Sequence, residues 1–199
     1  MNTELLISLA LFALFMTCSP GPNNLMLMAS GANYGWRKSL PHISGVILGF
    51  CLMVMLVGLG VEQLFVQYPQ LNVLLRIFSI SFLLYLAWRV LRSHNSGNQD
   101  TVTGQPITFF QAMAFQWVNP KAWTIALTAL GMAATPADQH GILMVVLVIG
   151  VFNALSANAW VCFGQQIVRL LSTDRNRRVF NYCVAGGLVA SIVPILLEA

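Results

Sequence analysis

The sequence predicts an all-α membrane protein, and two features of the chain lead to that fold class. Hydrophobic residues make up 57% of the 199 positions and charged residues only 8%, whereas a soluble domain carries roughly 25% charge. A helix needs about 20 apolar residues to cross a hydrocarbon core of roughly 30 Å. Six apolar runs reach that length, and we expect each to form a transmembrane helix: 5–28, 42–62, 70–92, 108–133, 140–165 and 178–197.

A polar segment divides these spans into two groups of three. Residues 93–107 are rich in Ser, Asn, Thr and Gly and are typical of a cytoplasmic linker. The linker separates a first three-helix repeat, 1–92, from a second, 108–199, and an odd number of spans makes the two repeats inverted. At an offset of 100 residues, five identities support this repeat within one transport domain: Phe15 with Phe115, Pro20 with Pro120, Leu27 with Leu127, Ala29 with Ala129 and Gly31 with Gly131.

The basic residues collect at one end of the spans. Eight of the ten lie in or next to the loops between spans one and two, three and four, and five and six: Arg37, Lys38, Arg89, Arg92, Arg169, Arg175, Arg177 and Arg178. Because basic loop residues stay in the cytoplasm, both termini are expected on the periplasmic side of a bacterial inner membrane. The same distribution accounts for the net charge of +4 and argues against a nucleic-acid partner. We expect a retained first helix rather than a cleaved signal peptide, since no Lys or Arg precedes Arg37.

The first span contains a motif that should break its helix inside the membrane. Residues 19–24 read SPGPNN, about 15 residues or roughly 22 Å into the span. Two prolines remove two backbone donors and obstruct earlier carbonyls. The freed polar groups need partners or a watery cavity, and either a packed kink or a cavity would satisfy them. Because two asparagines follow directly, we favour a cavity and take as candidate substrate-binding residues Pro20, Gly21, Pro22, Asn23 and Asn24.

The fourth span contains the matching feature. Asn119, Pro120 and Lys121 lie about 13 residues, close to 20 Å, from the expected cytoplasmic end. An unpaired ammonium at that depth costs at least ~2.5 kcal/mol, so Lys121 needs a hydrated cavity, a partner or freed backbone carbonyls. It is therefore a candidate for substrate binding, for capping the broken helix of the other repeat, or for both.

Two helix breaks that meet near the midplane would suit a zwitterion. Amino ends of half-helices carry partial positive charge and attract a carboxylate, which Lys121 would reinforce, while carbonyls and amides accept from an ammonium. Asn153, Ser156 and Asn158 in span five could extend this site, although interhelical hydrogen bonding explains them equally well.

Other polar residues carry weaker signals. Arg76 lies within snorkelling reach of the outer interface and is expected to be an anchor. The four cysteines fall inside spans and are expected to pack as small hydrophobes. We assign no metal to the three histidines, no cofactor and no catalytic residue. Gly45 and Gly49 permit close helix approach, within the chain or in a homodimer.

These residues resemble the lysine exporter superfamily, in particular its homoserine/threonine and cysteine/O-acetylserine exporter group. The resemblance covers essentially the whole chain and rests on residues 20–22 (PGP), 119–121 (NPK) and 83–88 (LLYLAW). It implies amino-acid efflux driven by the proton gradient. Because the spans contain no fixed acidic residue, we expect the cargo to be a small neutral or sulfur-containing amino acid rather than a basic one. Many members have aspartate where this chain has Asn23, which makes it more similar to the cysteine/O-acetylserine branch. With no Asp or Glu deep in a span, the coupling candidates are Lys121, Glu62 and His42.

Three other classes of function compete with an exporter. A membrane thiol/disulfide electron carrier is the main alternative, but it needs a cysteine in each repeat, and the position matching Cys18 is Val118. A divalent-cation exporter would need carboxylate ligands that the spans lack. A scaffold protein would leave the lysine and the proline breaks unexplained.

Overall fold

The computed structural model describes residues 3–92, 106–133, 139–170 and 173–197, and these residues form helices without a strand among them. The part before residue 93 contains α1 (Thr3–Cys18), α2 (Pro22–Lys38), α3 (Leu40–Gly58), α4 (Glu62–Gln67) and α5 (Gln70–Arg92). The part after residue 105 contains α6 (Phe109–Val118), α7 (Pro120–Ala133), α8 (Gln139–Leu170), α9 (Asp174–Ala190) and α10 (Ile192–Leu197). Most of the expected linker, residues 93–105, lies outside the described residues.

The described helices agree with a multi-pass membrane protein, with fewer clear spans than the six expected. Four stretches are long and apolar enough to cross a membrane: Leu40–Gly58, Gln70–Arg92, Gln139–Ile167 and Arg175–Leu197. The pair α1 and α2, bent by 57° at its break, would be a fifth. The remaining expected span, the fourth (108–133), is divided at Asn119 into α6 and α7, and neither helix is long enough to qualify alone.

Glycine residues allow the backbones of α2 and α8 to touch where the two helices cross. A Cβ atom added at Gly31 would lie 2.0 Å from the carbonyl oxygen of Val161, and one added at Gly164 would lie 2.0 Å from that of Met28. Only glycine fits at these two positions without moving a helix. The crossing fixes α2, which follows the first helix break, against the long helix that carries Asn153 and Ser156.

A second close approach joins α3 to α6. Cβ atoms at Gly45 and Gly49 would lie 2.3 Å from the Phe109 carbonyl oxygen and 2.6 Å from the Cα of Met113. The small-residue pair that the sequence singled out therefore packs within its own chain, and its packing needs no second copy.

The helices enclose two apolar clusters with the helix breaks beside them. One cluster contains Leu27, Val46, Leu83 and Phe115, and the other contains Leu9, Met53, Ala126 and Ile149, all fully or almost fully buried. Each cluster draws residues from both sides of the segment 93–105. The two parts of the chain are therefore packed into one another.

Candidate functional site

Both predicted helix breaks are present, and each is followed by a helix whose first residue is proline. Helix α1 ends at Cys18 and α2 begins at Pro22, while α6 ends at Val118 and α7 begins at Pro120. Proline suits the first position of a helix because its missing N–H would have no intrahelical acceptor there. The prolines thus end one helix and start the next, and each break presents a helix N-terminus with its partial positive charge.

The carbonyl groups freed at the end of α1 are satisfied by side chains. The carbonyl oxygen of Thr17 accepts hydrogen bonds from Asn24 Nδ2 (2.7 Å) and Ser156 Oγ (2.8 Å). The carbonyl oxygen of Ser19 accepts from Asn24 Nδ2 (2.8 Å) and from Lys121. Asn24 therefore closes its own break, while Ser156 and Lys121 reach it from α8 and α7.

Lys121 lies between the two breaks. Its Nζ donates to the carbonyl oxygen of Ser19 at 2.6 Å and approaches that of Pro20 at 3.5 Å. Gly21 makes room for it, since a Cβ there would lie 3.0 Å from Lys121 Cδ and 3.2 Å from Nζ. The lysine thus caps the broken helix in the other part of the chain. Capping was one of the two roles, beside substrate binding, that the sequence suggested for it. An ammonium has three donors, so capping does not preclude a contact with substrate.

Three amide side chains line the space beside the lysine. Asn119 Oδ1 accepts from the Lys121 backbone N–H at 3.2 Å and so caps the start of α7. Gln116 Nε2 donates to the Ala112 carbonyl oxygen at 2.9 Å and lies 3.4 Å from Asn23 Oδ1. Gln116 is 1% exposed and was not among the site residues predicted from the sequence. Its position three residues before Asn119 on α6 is the signal that could have found it.

A cavity of about 30 Å³ lies where these groups meet. Six of the predicted site residues line it, together with Gln116, Thr17 and apolar side chains. The lining residues are Met16, Thr17, Gly21, Asn23, Asn24, Phe50, Gln116, Asn119, Lys121, Ala122, Ile125 and Asn153. One water needs roughly 10–15 Å³ of such space. The cavity as it stands has room for about two waters and is too small for an amino acid.

The three polar residues of α8 have different surroundings. Asn153 lines the cavity, and its buried Nδ2 has no hydrogen-bond acceptor among the described residues. Ser156 is committed to the Thr17 carbonyl. Asn158 lies apart from the cavity, since its Oδ1 accepts from Trp36 Nε1 and its Nδ2 donates to the Ala154 carbonyl. Of the three, Asn153 alone offers the cavity an unused donor.

The remaining predicted residues lie around this centre. Pro20 and Pro22 shape the first break without lining the cavity, whereas Pro120 borders a groove of about 760 Å³ on the other side of α7. Glu62 and Arg76 line the same groove. His42 of α3 is fully buried, its Nδ1 lies 2.8 Å from Ser30 Oγ of α2, and it does not line the cavity.

The cysteines and histidines form no recognisable redox or metal centre in the part of the chain that the structure describes. Cys18, Cys51, Cys162 and Cys183 are all free thiols. No group of three or more His, Cys, Asp or Glu side chains is close enough to hold a metal ion within the described ranges.

Comparison with known proteins places the chain among transporters. Residues 14–193 match the model of the family described as LysE type translocator. A cysteine/O-acetylserine efflux protein of Klebsiella pneumoniae is 25% identical over 200 residues, covering all of both chains. Proteins of the same description from Escherichia coli and Shigella sonnei are 30% identical over 176 residues, covering 85% of this chain and 87% of theirs. No solved structure matches.

Proposed function

The chain belongs to the LysE type translocator family, and we propose that the cavity between its two helix breaks binds the amino acid that it exports. It is an amino-acid exporter and a multi-pass protein of the inner membrane. The observation that carries the proposed site is the position of Lys121. Its ammonium joins both breaks and borders a cavity that five amide side chains also line.

The cargo in this proposal is a small neutral or sulfur-containing amino acid or its derivative, of the cysteine, O-acetylserine, threonine or leucine type. The relatives from three organisms are described as cysteine/O-acetylserine efflux proteins. The chemistry of the cavity agrees with a neutral side chain on the substrate. No Asp or Glu is among the described residues that line it, so a cationic side chain would find no counter-charge.

The zwitterion would bind by complementary groups. Its carboxylate would lie near the N-termini of α2 and α7, the Lys121 ammonium and the unused donor of Asn153. Its ammonium would donate hydrogen bonds to amide oxygens such as those of Asn23 and Gln116 and to the carbonyl oxygens at the end of α1. Low local polarity strengthens such contacts because water does not compete for them.

Substrate binding in this site requires the helices to separate. The cavity of about 30 Å³ holds roughly two waters, so the described conformation is an occluded state in this proposal. Helix breaks closed by side-chain hydrogen bonds can open without breaking a continuous helix. We propose that the bonds from Lys121 and Ser156 to the α1 carbonyls rearrange as the protein alternates between its two sides.

The architecture in this proposal is six spans in two inverted three-helix repeats, with α6 and α7 as a broken fourth span and both termini periplasmic. The ends of α1 and α6 at Cys18 and Val118, 100 residues apart, support it. The packing also agrees with it, because α8 contacts both halves of the first broken span and α3 contacts both halves of the second. Export would be secondary active. Of the coupling candidates Lys121, Glu62 and His42, only Lys121 lines the cavity.

Counterflow in proteoliposomes tests this function. Vesicles loaded with one unlabelled amino acid at a time should take up the labelled form of cysteine, O-acetylserine, threonine or leucine when they contain the native protein. Lys121→Met should abolish that uptake while the protein stays folded, and Arg92→Gln, which alters an exposed end of α5, should not. Uptake by Lys121→Met equal to that of the native protein would remove Lys121 from the site.

A further inference from the structure

A groove of about 760 Å³ lies against the second helix break, on the far side of α7 from the first cavity, which is the one between the two breaks. Its walls are α4, the first half of α5, the end of α6, α7 and α10. Sites for small molecules occupy roughly 300–1,000 Å³. The groove therefore has room for a whole amino acid, for which the first cavity of about 30 Å³ is too small.

Helix α7 is the wall between the two spaces, and its residues divide between them. The residues that line the groove are Pro120, Trp123, Thr124 and Leu127. The residues that line the first cavity are Lys121, Ala122 and Ile125. With about 3.6 residues per turn, the two sets lie on opposite faces of the helix. The two spaces are therefore separated by the width of one helix, roughly 10 Å.

At the second break itself, neighbouring residues face the two spaces. Asn119 lines the first cavity, whereas Val118 lines the groove. Side chains of the groove also hold the end of α6. Ser79 Oγ contacts the Val118 carbonyl oxygen, and Trp123 Nε1 donates to the Trp117 carbonyl oxygen at 2.8 Å. These side-chain bonds can exchange while α6 and α7 stay folded, so the break offers the shortest path between the first cavity and the groove.

The groove contains a carboxylate that the first cavity lacks. Glu62 is exposed in the first turn of α4 and lines the groove, whereas no Asp or Glu is among the described residues that line the first cavity. A carboxylate attracts an ammonium more strongly than neutral oxygens do, because the two charges are opposite. The acyl chain of a lipid has no group that pairs with Glu62, which favours an amino acid as the occupant.

The two ends of the molecule differ in how tightly they are closed. A Cβ at Gly31 of α2 would lie 2.0 Å from the Val161 carbonyl oxygen of α8, so these backbones touch. Gly131 of α7 is the matching residue at an offset of 100, and a Cβ there meets nothing within 4 Å among the described residues. In the proposed inverted repeats, these two glycines lie towards opposite faces of the membrane. The described conformation is thus closed towards the cytoplasm, with its open space towards the periplasm.

We propose that this groove is the periplasmic release site, in which the exported amino acid binds after it leaves the first cavity through the second helix break. This proposal rests on the proposed function. The ammonium of the amino acid pairs with Glu62, and the exposed Thr124 of α7 borders the bound molecule. The groove belongs to the periplasmic side because the basic residues collect at the other ends of the spans.

Protection of a single cysteine from labelling tests the release site. Thr124→Cys is made in a chain that retains counterflow after its native Cys18, Cys51, Cys162 and Cys183 are each replaced by alanine. In right-side-out membrane vesicles, a membrane-impermeant cationic methanethiosulfonate should label the new thiol. O-acetylserine, threonine or leucine, whichever gives counterflow, should slow this labelling about tenfold at roughly ten times its dissociation constant.

Thr128→Cys is the matched control for this labelling. Thr128 is exposed one turn further along α7 and does not line the groove. Its rate of labelling should therefore be the same with and without the amino acid.

The KM measured from each face of the membrane tests the role of Glu62, in a chain that keeps its native cysteines. In right-side-out vesicles, Glu62→Gln should raise the counterflow KM by about 10–100-fold, the range expected for loss of a hydrogen bond between charged groups. In everted vesicles its KM should equal that of the native protein, because Glu62 does not line the first cavity. A structural defect would instead lower the maximal rate at both faces.

Glu4→Gln is the matched control for the loss of a carboxylate. Glu4 is exposed in the first turn of α1, is expected on the same side of the membrane and does not line the groove. Its KM should equal that of the native protein at both faces.

The outcomes distinguish this site from the proposed function. If the native protein shows counterflow but Thr124→Cys is labelled equally fast with and without the amino acid, the release site is overturned and the exporter stands. Labelling of Thr124→Cys by a lipid-soluble maleimide alone would make the groove a lipid-filled space, which also overturns the site. An unchanged KM at the outer face of Glu62→Gln would remove Glu62 as the partner of the ammonium. If the native protein transports none of the four amino acids, both proposals fall.

Discussion

Replacement of Gly31 by alanine should destabilise the protein through the crossing of α2 and α8. The new Cβ would lie 2.0 Å from the Val161 carbonyl oxygen, whereas ordinary contact begins at 3.4 Å, so the backbones would have to separate by about 1.4 Å. The obstacle is backbone and cannot rotate away. Overpacking costs 1–3 kcal/mol, and we expect the upper end, about 3 kcal/mol. In a chain of this length that corresponds to a fall in Tm of roughly 6–12 °C.

The measurement is thermal unfolding in detergent, followed by loss of the monodisperse peak in size-exclusion chromatography. Gly131→Ala is the matched control because Gly131 lies 100 residues later and a Cβ there meets nothing within 4 Å. Alanine is better than glycine in a helix by about 0.5–1 kcal/mol, so this variant should equal or exceed the native Tm. Equal losses in both variants would refute the argument from the crossing.

Two further variants test the first cavity. Asn153→Leu should leave the Tm unchanged or raise it, because it removes a buried donor whose missing partner costs about 1–3 kcal/mol, yet it should lower counterflow at least about tenfold. Asn158→Leu on the same helix should instead lower the Tm, since Trp36 Nε1 loses its acceptor. If Asn153→Leu lost as much stability as Asn158→Leu, the claim that Asn153 Nδ2 has no hydrogen-bond partner would be wrong. Ser156→Ala should cost only about 1 kcal/mol with transport retained, because the Thr17 carbonyl keeps its bond from Asn24. Loss of transport without loss of stability would show that the Ser156 hydroxyl is itself required during transport.

The helix breaks could be predicted from sequence because their cause is local. Pro20, Pro22 and Pro120 remove donors wherever they occur, and a lysine deep in a span must find partners. The contact of Lys121 with the α1 carbonyls is one of the alternatives that these two facts allow. Even the first residues of α2 and α7, Pro22 and Pro120, agree with the known preference of proline for that position.

Other features depend on how the helices are rotated against one another, which no local pattern reveals. Asn153, Ser156 and Asn158 were all candidates in the sequence, but the packing of α8 places Asn153 at the cavity and Asn158 beside Trp36. Gln116 and Thr17 were missed for the same reason. Arg89 looked like a basic residue at the end of a span, and its position beside Tyr34 became visible only once α2 and α5 were packed.

Equilibrium binding is the most direct test of the claim that the cavity between the helix breaks holds the substrate. Purified native protein in nanodiscs should bind labelled cysteine or O-acetylserine saturably, with excess unlabelled substrate displacing it. Lys121→Met and Asn153→Leu should each weaken binding by at least about tenfold, while Arg92→Gln binds like the native protein. Native affinity in both cavity variants, with both shown to be folded, would contradict the account and place the substrate elsewhere in the chain.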